Sequence, residues 1–183
     1  MEKFFLDRKD ALLVIVDIQE RLAKAMKKRN QIAANCIHLI EAADLLDLQV
    51  VVTEQYPKGL GPTIGEIREA LTLYEPFEKM TFDCCGTSEF LDHLSATGKK
   101  QVILTGMETH VCVLQTCTSL LKEGYTVHLV QDAVCSRTKE NFRMGIEFMR
   151  DAGAVITCTE TVLFQLLEKA GTPEFKTISK RIK

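Results

Sequence analysis

Short apolar runs alternate with longer amphipathic segments along the chain, and this alternation restricts the fold more than any other feature. The runs are apolar at nearly every position, as in strands buried on both faces. Between them the apolar residues have helical spacing, most clearly from Asn30 to Leu48. Alternating strands and helices with short connections predict a three-layer αβα sandwich around a six-stranded parallel sheet, which is a Rossmann-like α/β fold. The predicted strands are Ala11 to Val16, Gln49 to Thr53, Pro76 to Met80, Gln101 to Thr105, Thr126 to Val130 and Ala154 to Cys158.

Length and composition narrow the class of protein. A chain of 183 residues suits a single domain spanning residues 1–183. The 23 basic and 25 acidic residues are intermixed and give a net charge of -2, which argues against a nucleic-acid partner. The longest apolar run, Ala11 to Val16, is far shorter than the roughly 20 residues of a membrane-spanning helix, so no membrane partner is expected.

The N-terminal residues and the cysteines bear on the cellular compartment of the protein. The first ten residues lack the apolar core and cleavage site of a secretory signal, so a cytoplasmic location is expected. The seven cysteines contain no CxxC pair and are expected to be reduced. No GxGxxG or GxxxxGK[ST] motif and no paired histidine spacing occurs, and we predict neither a cofactor nor a metal.

Three reactive residue types fall where predicted strands end. Asp17 follows the first strand, Lys79 closes the third, and Cys112 follows the fourth after a short turn. In parallel sheets, ligands bind beyond the carboxyl ends of the strands, so these side chains are expected to converge on one edge. The segment 54–62, with two Pro and two Gly, is predicted to be a surface loop near that edge.

The three residue types together form a complete nucleophilic site. Thr109 is a predicted N-cap, which places Cys112 in the first turn of a helix, where the helix dipole and Lys79 are expected to lower the pKa of the thiol. Asp17 is a suitable general base and then general acid. Backbone N–H groups between Gly106 and Thr109 are suitably placed to stabilise an oxyanion.

Each residue also has a structural interpretation that stays open at this stage. Taken alone, Asp17 is more typical of a turn or cap, Lys79 of a solvated surface, and Cys112 of a small buried core residue. A thiol redox sensor is a further alternative, for which Cys112 needs a second cysteine nearby. Cys117 is expected to point elsewhere on the helix.

The sequence resembles the isochorismatase-like cysteine hydrolases over nearly its whole length. The resemblance is carried by LLVIVDIQ with Asp17, by EPFEKMTFD with Lys79, and by VILTGMETHVCV with Cys112. It implies that these three residues are a catalytic triad. It also implies a non-proline cis peptide before Glu108, and an oxyanion hole formed by the backbone N–H groups of Glu108 and Cys112.

Departures from the family pattern sharpen the prediction. The segment TEQYPKGLGPT has no His where nicotinamidases bind a metal, and it resembles the branch of isochorismatase domain-containing proteins. True isochorismatases cleave a vinyl ether by protonation and do not need a thiol, so Cys112 argues against that substrate. Four side chains near the triad are candidates for substrate binding, although Tyr56 is equally suited to covering a loop: Gln19, Gln55, Tyr56 and Phe82.

The sequence therefore predicts a cysteine-dependent hydrolase of a small amide, carbamoyl or other C–N-bonded metabolite, acting through an acyl-cysteine intermediate. The expected partners are a small-molecule substrate and further copies of the chain in a homo-oligomer. The alternative is a catalytically silent binding or scaffold protein with the same fold.

Overall fold

The computed structural model describes residues 1–182, and their strands form one fully parallel sheet of six strands, as predicted. The first strand matches its predicted bounds, and β4 and β5 extend beyond theirs. The strands are β1 (Ala11–Val16), β2 (Val50–Gln55), β3 (Phe77–Lys79), β4 (Gln101–Met107), β5 (Thr126–Cys135) and β6 (Val155–Thr157).

Helices cover both faces of the sheet and produce the predicted three layers. Alternate residues of β1 supply the two apolar cores: Leu13 and Ile15 face one, while Leu12 and Val14 face the other. The first core is closed by α2 and α8, and the second by α5, α6 and α7. The helices are α1 (Glu20–Lys24), α2 (Arg29–Leu45), α3 (Pro57–Leu60), α4 (Gly65–Ala70), α5 (Ser88–Ala96), α6 (Leu114–Lys122), α7 (Lys139–Asp151), α8 (Thr159–Leu167) and α9 (Pro173–Ser179).

The strand order β3-β2-β1-β4-β5-β6 fixes the position of a binding crevice. The chain winds outward from β1 through β2 to β3, and then crosses to the other side of β1 to form β4. The winding direction therefore reverses between β1 and β4, and ligands bind beyond the carboxyl ends of strands at such a switch point. Asp17 follows β1 and Cys112 follows β4, so both lie there.

Two expectations about irregular segments are corrected. Residues 54–62 are not one loop, because Glu54 and Gln55 complete β2 and α3 follows after Tyr56. Strand β5 continues past Val130, because its pairing with β4 resumes after an irregularity, with Gly106 opposite Val134. Among residues 1–182, no helix is long and apolar enough to cross a bilayer.

Candidate active site

Asp17 is the buried anion at the centre of the carboxyl edge. It is fully buried and has a left-handed backbone with φ of 52°, which turns the chain sharply after β1. The Thr53 hydroxyl donates to Asp17 Oδ1 at 2.8 Å, and Lys79 Nζ donates to Asp17 Oδ2 at 2.7 Å. Both carboxylate oxygens are thus held by neighbouring strands.

The Lys79 ammonium is surrounded by acceptors. Besides Asp17 it contacts Gln55 Oε1 at 2.8 Å and the backbone oxygens of Thr81 and Phe82, each at 3.2 Å. An ammonium has three N–H donors, so these four acceptors account for all of them. Lys79 therefore places a positive charge next to Asp17 and fixes the backbone of the 80–82 turn by hydrogen bonds.

Burial and neighbouring charges set the pKa values of Lys79 and Cys112. Burial by itself lowers the pKa of Lys79, but Asp17, with smaller contributions from Cys84 and Cys112, outweighs it and raises that pKa overall. Burial and the interacting Asp17 carboxylate raise the pKa of the Cys112 thiol, and Lys79 only partly opposes them. The expectation of a lowered thiol pKa is wrong for the free protein, because burial outweighs the nearby cation. The raised pKa favours a protonated Cys112 thiol next to the Asp17 carboxylate.

The turn after β4 positions Cys112. The peptide bond between Met107 and Glu108 is cis, as the resemblance implied. A π-helical turn, Thr109–Val113, follows and continues directly into α6. Thr109 is not the predicted N-cap, because Glu108 precedes the turn and its carbonyl accepts from the N–H groups of Val111 and Val113.

Two glycines permit the close packing that fixes this turn. Gly106 has φ of 131°, and a Cβ at this position would lie 2.1 Å from the Val16 carbonyl oxygen. On the other side, α7 packs so closely that a Cβ on Gly145 would lie 3.1 Å from the Thr109 carbonyl oxygen. The turn that carries Cys112 is therefore held between β1 and α7.

Glu108 also ties the turn to the end of β5. Its buried carboxylate oxygen Oε2 accepts from the backbone N–H of Arg137 at 3.0 Å and from Arg137 Nε at 3.1 Å. The Arg137 side chain is 61% exposed, whereas that of Glu108 is 8% exposed. The buried charge is thus compensated from the solvent side.

Gln19 and Gln55, predicted to bind substrate, are instead occupied by internal contacts. Gln19 is fully buried, donates to the Gln55 and Gly61 carbonyls and accepts from the Gln55 N–H. The Gln55 side chain joins Lys79 to the Met80 carbonyl. These two residues therefore position Lys79 and the chain after β2, and their contact with a substrate stays a prediction.

Tyr56 and Phe82 are exposed near the Asp17 and Lys79 pair. Tyr56 is 46% exposed, and its ring packs over Gly59, which agrees with the alternative that it covers a loop. Phe82 is 55% exposed, and its carbonyl accepts from Lys79. Both side chains are placed for contact with a ligand at the edge, and this role stays a prediction.

Sequence reasoning missed Thr53 and Cys84. Thr53 holds Asp17, and Cys84 Sγ donates to the Thr53 hydroxyl at 3.6 Å. The Cys84 N–H donates to the Thr116 hydroxyl at 3.0 Å, one helical turn beyond Cys112. These contacts join distant segments, and no local motif signals them.

One groove lies away from the carboxyl edge of the sheet. It has a volume of about 530 Å³ and is lined by the first half of β2, by the segment leading into β3 and by His93. This is the amino-terminal half of β2, remote from Asp17 and Cys112. Residues 1–182 contain no cluster of three or more His, Cys, Asp or Glu side chains arranged to hold a metal.

The fold and the site together define a doubly wound α/β protein with a buried carboxylate, ammonium and thiol at its switch point. The isochorismatase domain model matches residues 11–161. The chain is 43% identical over 178 residues to the secreted isochorismatase effector Isc1 of Phytophthora sojae, covering 94% of this chain and 84% of that protein. It is 35% identical over 178 residues to isochorismatase domain-containing protein 2 of Xenopus laevis, covering 97% and 85%.

Solved structures agree with this assignment. The MAR1 ribonuclease of Caenorhabditis elegans superposes with a TM-score of 0.91 at 37% identity, covering 97% of this chain and 92% of that one. YcaC from Pseudomonas aeruginosa, with hexane-2,5-diol and covalent acrylamide, superposes with a TM-score of 0.90 at 26% identity, covering 97% and 91%. The chain belongs to the isochorismatase family.

Proposed function

We propose that this chain hydrolyses a small amide, carbamoyl or other C–N-bonded metabolite, with Cys112 as nucleophile, Asp17 as general base and acid, and Lys79 as a fixed cation. The observation that carries the proposal is the buried Asp17 carboxylate, whose oxygens are fixed by Thr53 and Lys79 and which, together with burial, raises the pKa of the Cys112 thiol. A fixed, charged base beside a nucleophile that has yet to lose its proton is the arrangement that acyl transfer needs.

The proposed reaction begins when Asp17 takes the thiol proton as Cys112 Sγ attacks the substrate carbonyl carbon. The carbonyl π electrons move to oxygen, where the backbone N–H groups of Glu108 and Cys112 stabilise the negative charge. Asp17 then gives its proton to the leaving nitrogen, and the C–N bond breaks to leave a thioester. Water, deprotonated by Asp17, attacks the thioester and releases the acid, and the proton returns to Cys112.

Lys79 keeps its charge throughout the proposed cycle. While Asp17 is protonated, the negative charge resides on the thiolate or oxyanion, and a neighbouring ammonium offsets it. The proposal uses no metal and no cofactor. Cleavage of a vinyl ether by protonation does not need a nucleophilic Cys112, so a vinyl ether substrate is tested separately.

The first experiment measures turnover of a panel of small amides, ureas and carbamoyl compounds by wild type, Cys112→Ala and Cys158→Ala. Cys158 is partly exposed at the end of β6, away from the switch point, and serves as the matched control. We expect Cys112→Ala to lower kcat/KM by at least about 10³-fold and Cys158→Ala to leave it unchanged. Acid quench and peptide mass spectrometry should find the acyl group on Cys112.

Undiminished turnover in Cys112→Ala would refute the mechanism. Isochorismate and a single-stranded RNA complete the panel, because relatives carry the names isochorismatase and ribonuclease. RNA cleavage that requires Cys112, without amide turnover, would replace the proposed substrate class. Absence of all turnover, with a folded protein, would favour the scaffold alternative.

A homo-oligomer is part of the proposal. Several large apolar side chains are exposed near the triad and on α7, and a second copy of the chain is suited to covering them: Met80, Phe82, Met144 and Phe148. Sedimentation equilibrium tests this, and a monomer at micromolar concentration would contradict it. The cytoplasmic location also stays a prediction, since the Phytophthora relative is named a secreted effector.

A further inference from the structure

Thr109 carries a buried hydroxyl with no hydrogen-bond partner among residues 1–182. The other buried side-chain N and O atoms without a hydrogen-bond partner in this range lie on α2, at His38 and Glu41, and in the amino-terminal half of β5, at His128. Thr109 is therefore the one that belongs to the candidate active site. Burying a hydroxyl without a partner is destabilising, so its presence at a reactive site calls for an explanation.

The position of Thr109 relates it directly to the nucleophile. It lies between Glu108 and Cys112, the two residues whose N–H groups form the proposed oxyanion hole. Thr109 opens the π-helical turn in which Cys112 is the fourth residue, and both side chains are buried. The unpaired hydroxyl thus lies in the same short turn as Cys112 Sγ.

The surrounding backbone leaves the hydroxyl little freedom to find a partner elsewhere. The Glu108 carbonyl anchors the turn through two N–H donors, and α7 packs against the Thr109 carbonyl at Gly145. A β-branched side chain also has few accessible rotamers on a helical backbone. The free donor is therefore a fixed feature of the turn.

We propose that the Thr109 hydroxyl is a third donor of the oxyanion hole, which hydrogen-bonds the substrate carbonyl oxygen as it becomes negatively charged. This inference rests on the proposed acyl transfer at Cys112. The hydroxyl is unpaired in the free protein and gains an acceptor when the reacting carbonyl is bound. The bond strengthens as charge develops on that oxygen, so it favours the transition state over the bound substrate.

The test compares two reagents that alkylate Cys112. Addition of the thiolate to acrylamide places negative charge on the amide oxygen, whereas displacement of iodide from iodoacetamide does not. We expect Thr109→Val to slow acrylamide addition to Cys112 by about 10- to 100-fold. Iodoacetamide should react at a nearly unchanged rate, and Thr109→Ser should restore most of the acrylamide rate. Peptide mass spectrometry follows Cys112 separately from the other cysteines.

Stability is a second readout, because Thr109→Val should slow the acrylamide reaction without destabilising the protein. Valine has nearly the shape of threonine and removes only the unpaired hydroxyl, so the urea midpoint of Thr109→Val should equal or exceed that of wild type. On an amide substrate, kcat should fall and KM should change little. Equal slowing with both reagents, or a lower urea midpoint with an unchanged acrylamide rate, would overturn the inference.

The failures of the two proposals are distinguishable. If Cys112→Ala abolishes amide turnover and Thr109→Val preserves it, the role of Thr109 is wrong and the hydrolase proposal stands. If wild type turns over no amide and Cys112 reacts with acrylamide no faster than Cys158, both proposals fail together.

Discussion

The two ends of the same parallel sheet differ in chemistry and in shape. At the carboxyl edge lie all four buried charged side chains of residues 1–182: Asp17, Glu54, Lys79 and Glu108. An apolar groove lies toward the amino-terminal end of β2, where Gln49 Nε2 and His93 Nε2 form a hydrogen bond of 2.7 Å. This groove and the buried charges therefore lie at opposite ends of the sheet.

This difference teaches that buried charge demands compensating partners that an apolar groove does not. An isolated buried ion is strongly unfavourable, so charged side chains are buried only where partners compensate them. Glu54 is compensated by the N–H and hydroxyl of Thr63 and by the Tyr74 hydroxyl. An apolar groove needs no such support. Substitutions at the carboxyl edge should therefore change the free energy of unfolding more than matched substitutions at exposed positions.

The largest effect is expected from breaking the buried ion pair. Lys79 and Asp17 are 1% and 0% exposed, whereas the similarly short pair between Arg29 and Glu66 is 32% and 48% exposed. Lys79→Met should lower the free energy of unfolding by about 3–5 kcal/mol, because it leaves the Asp17 charge buried and unpaired. Arg29→Met should cost at most about 1 kcal/mol. Urea titration measures both.

The double variant Asp17→Asn/Lys79→Met is the control for that prediction. It removes both charges, so it should recover most of the stability lost in Lys79→Met. Equal, small losses in Lys79→Met and Arg29→Met would mean that Asp17 is hydrated, and the energetic contrast between buried and exposed pairs would disappear.

The next effect concerns backbone packing at the carboxyl edge. Gly106→Ala forces a Cβ against the Val16 carbonyl in a left-handed conformation, and should cost about 2–5 kcal/mol. Gly65→Ala, in α4 with no atom within 4 Å of the added Cβ, should be neutral or stabilising by about 0.4–1 kcal/mol. Thermal or urea unfolding of the two variants distinguishes these outcomes. Similar behaviour would show that β1 and β4 separate easily.

A pH-dependent effect is expected away from the site, at His128. Burial lowers the pKa of His128 to about 4, against 6.5 for an ordinary histidine. The folded protein therefore binds fewer protons than the unfolded chain, and stability falls as the pH drops from 6.5 towards 4. One pKa unit corresponds to about 1.4 kcal/mol, so the total loss from this residue is about 3 kcal/mol.

His128→Leu is the variant that isolates this contribution. The difference in unfolding free energy between wild type and His128→Leu should be constant above pH 7 and should shift against wild type by about 3 kcal/mol by pH 4. A difference that stays constant down to pH 4 would mean that His128 is hydrated or paired.

The strand pattern and the positions of the reactive residues were readable from sequence because they depend on local rules. The run Ala11 to Val16 is apolar throughout since β1 is central and covered on both faces. Asp17 and Lys79 were placed at one edge because parallel strands end on the same side. The end of β5 was missed because exposed Gln131 interrupts the apolar pattern.

The hydrogen-bond partners of Asp17 and the environment of Cys112 were not readable from sequence, because they depend on strand order and on burial. Thr53 faces Asp17 because β2 lies beside β1, and only the folded sheet brings Cys84 next to Thr53. The direction of the Cys112 pKa shift was missed for the same reason. A position at a helix start suggests a lowered thiol pKa, but burial and Asp17 raise it. The sequence does not show how deeply a single side chain is buried.

The smallest effect is expected where buried charge meets solvent, between Glu108 and Arg137. Arg137→Met removes the Nε contact but keeps the backbone N–H bond to Glu108 Oε2, so it should cost only about 1 kcal/mol. Arg68→Met, which breaks the exposed 3.7 Å pair with Glu20, should cost less than about 0.5 kcal/mol and is the matched control. Urea titration at low and high salt measures both. A loss in Arg137→Met as large as that in Lys79→Met would mean that Glu108 is sealed from water, and that the turn after β4 depends on Arg137 as strongly as Asp17 depends on Lys79.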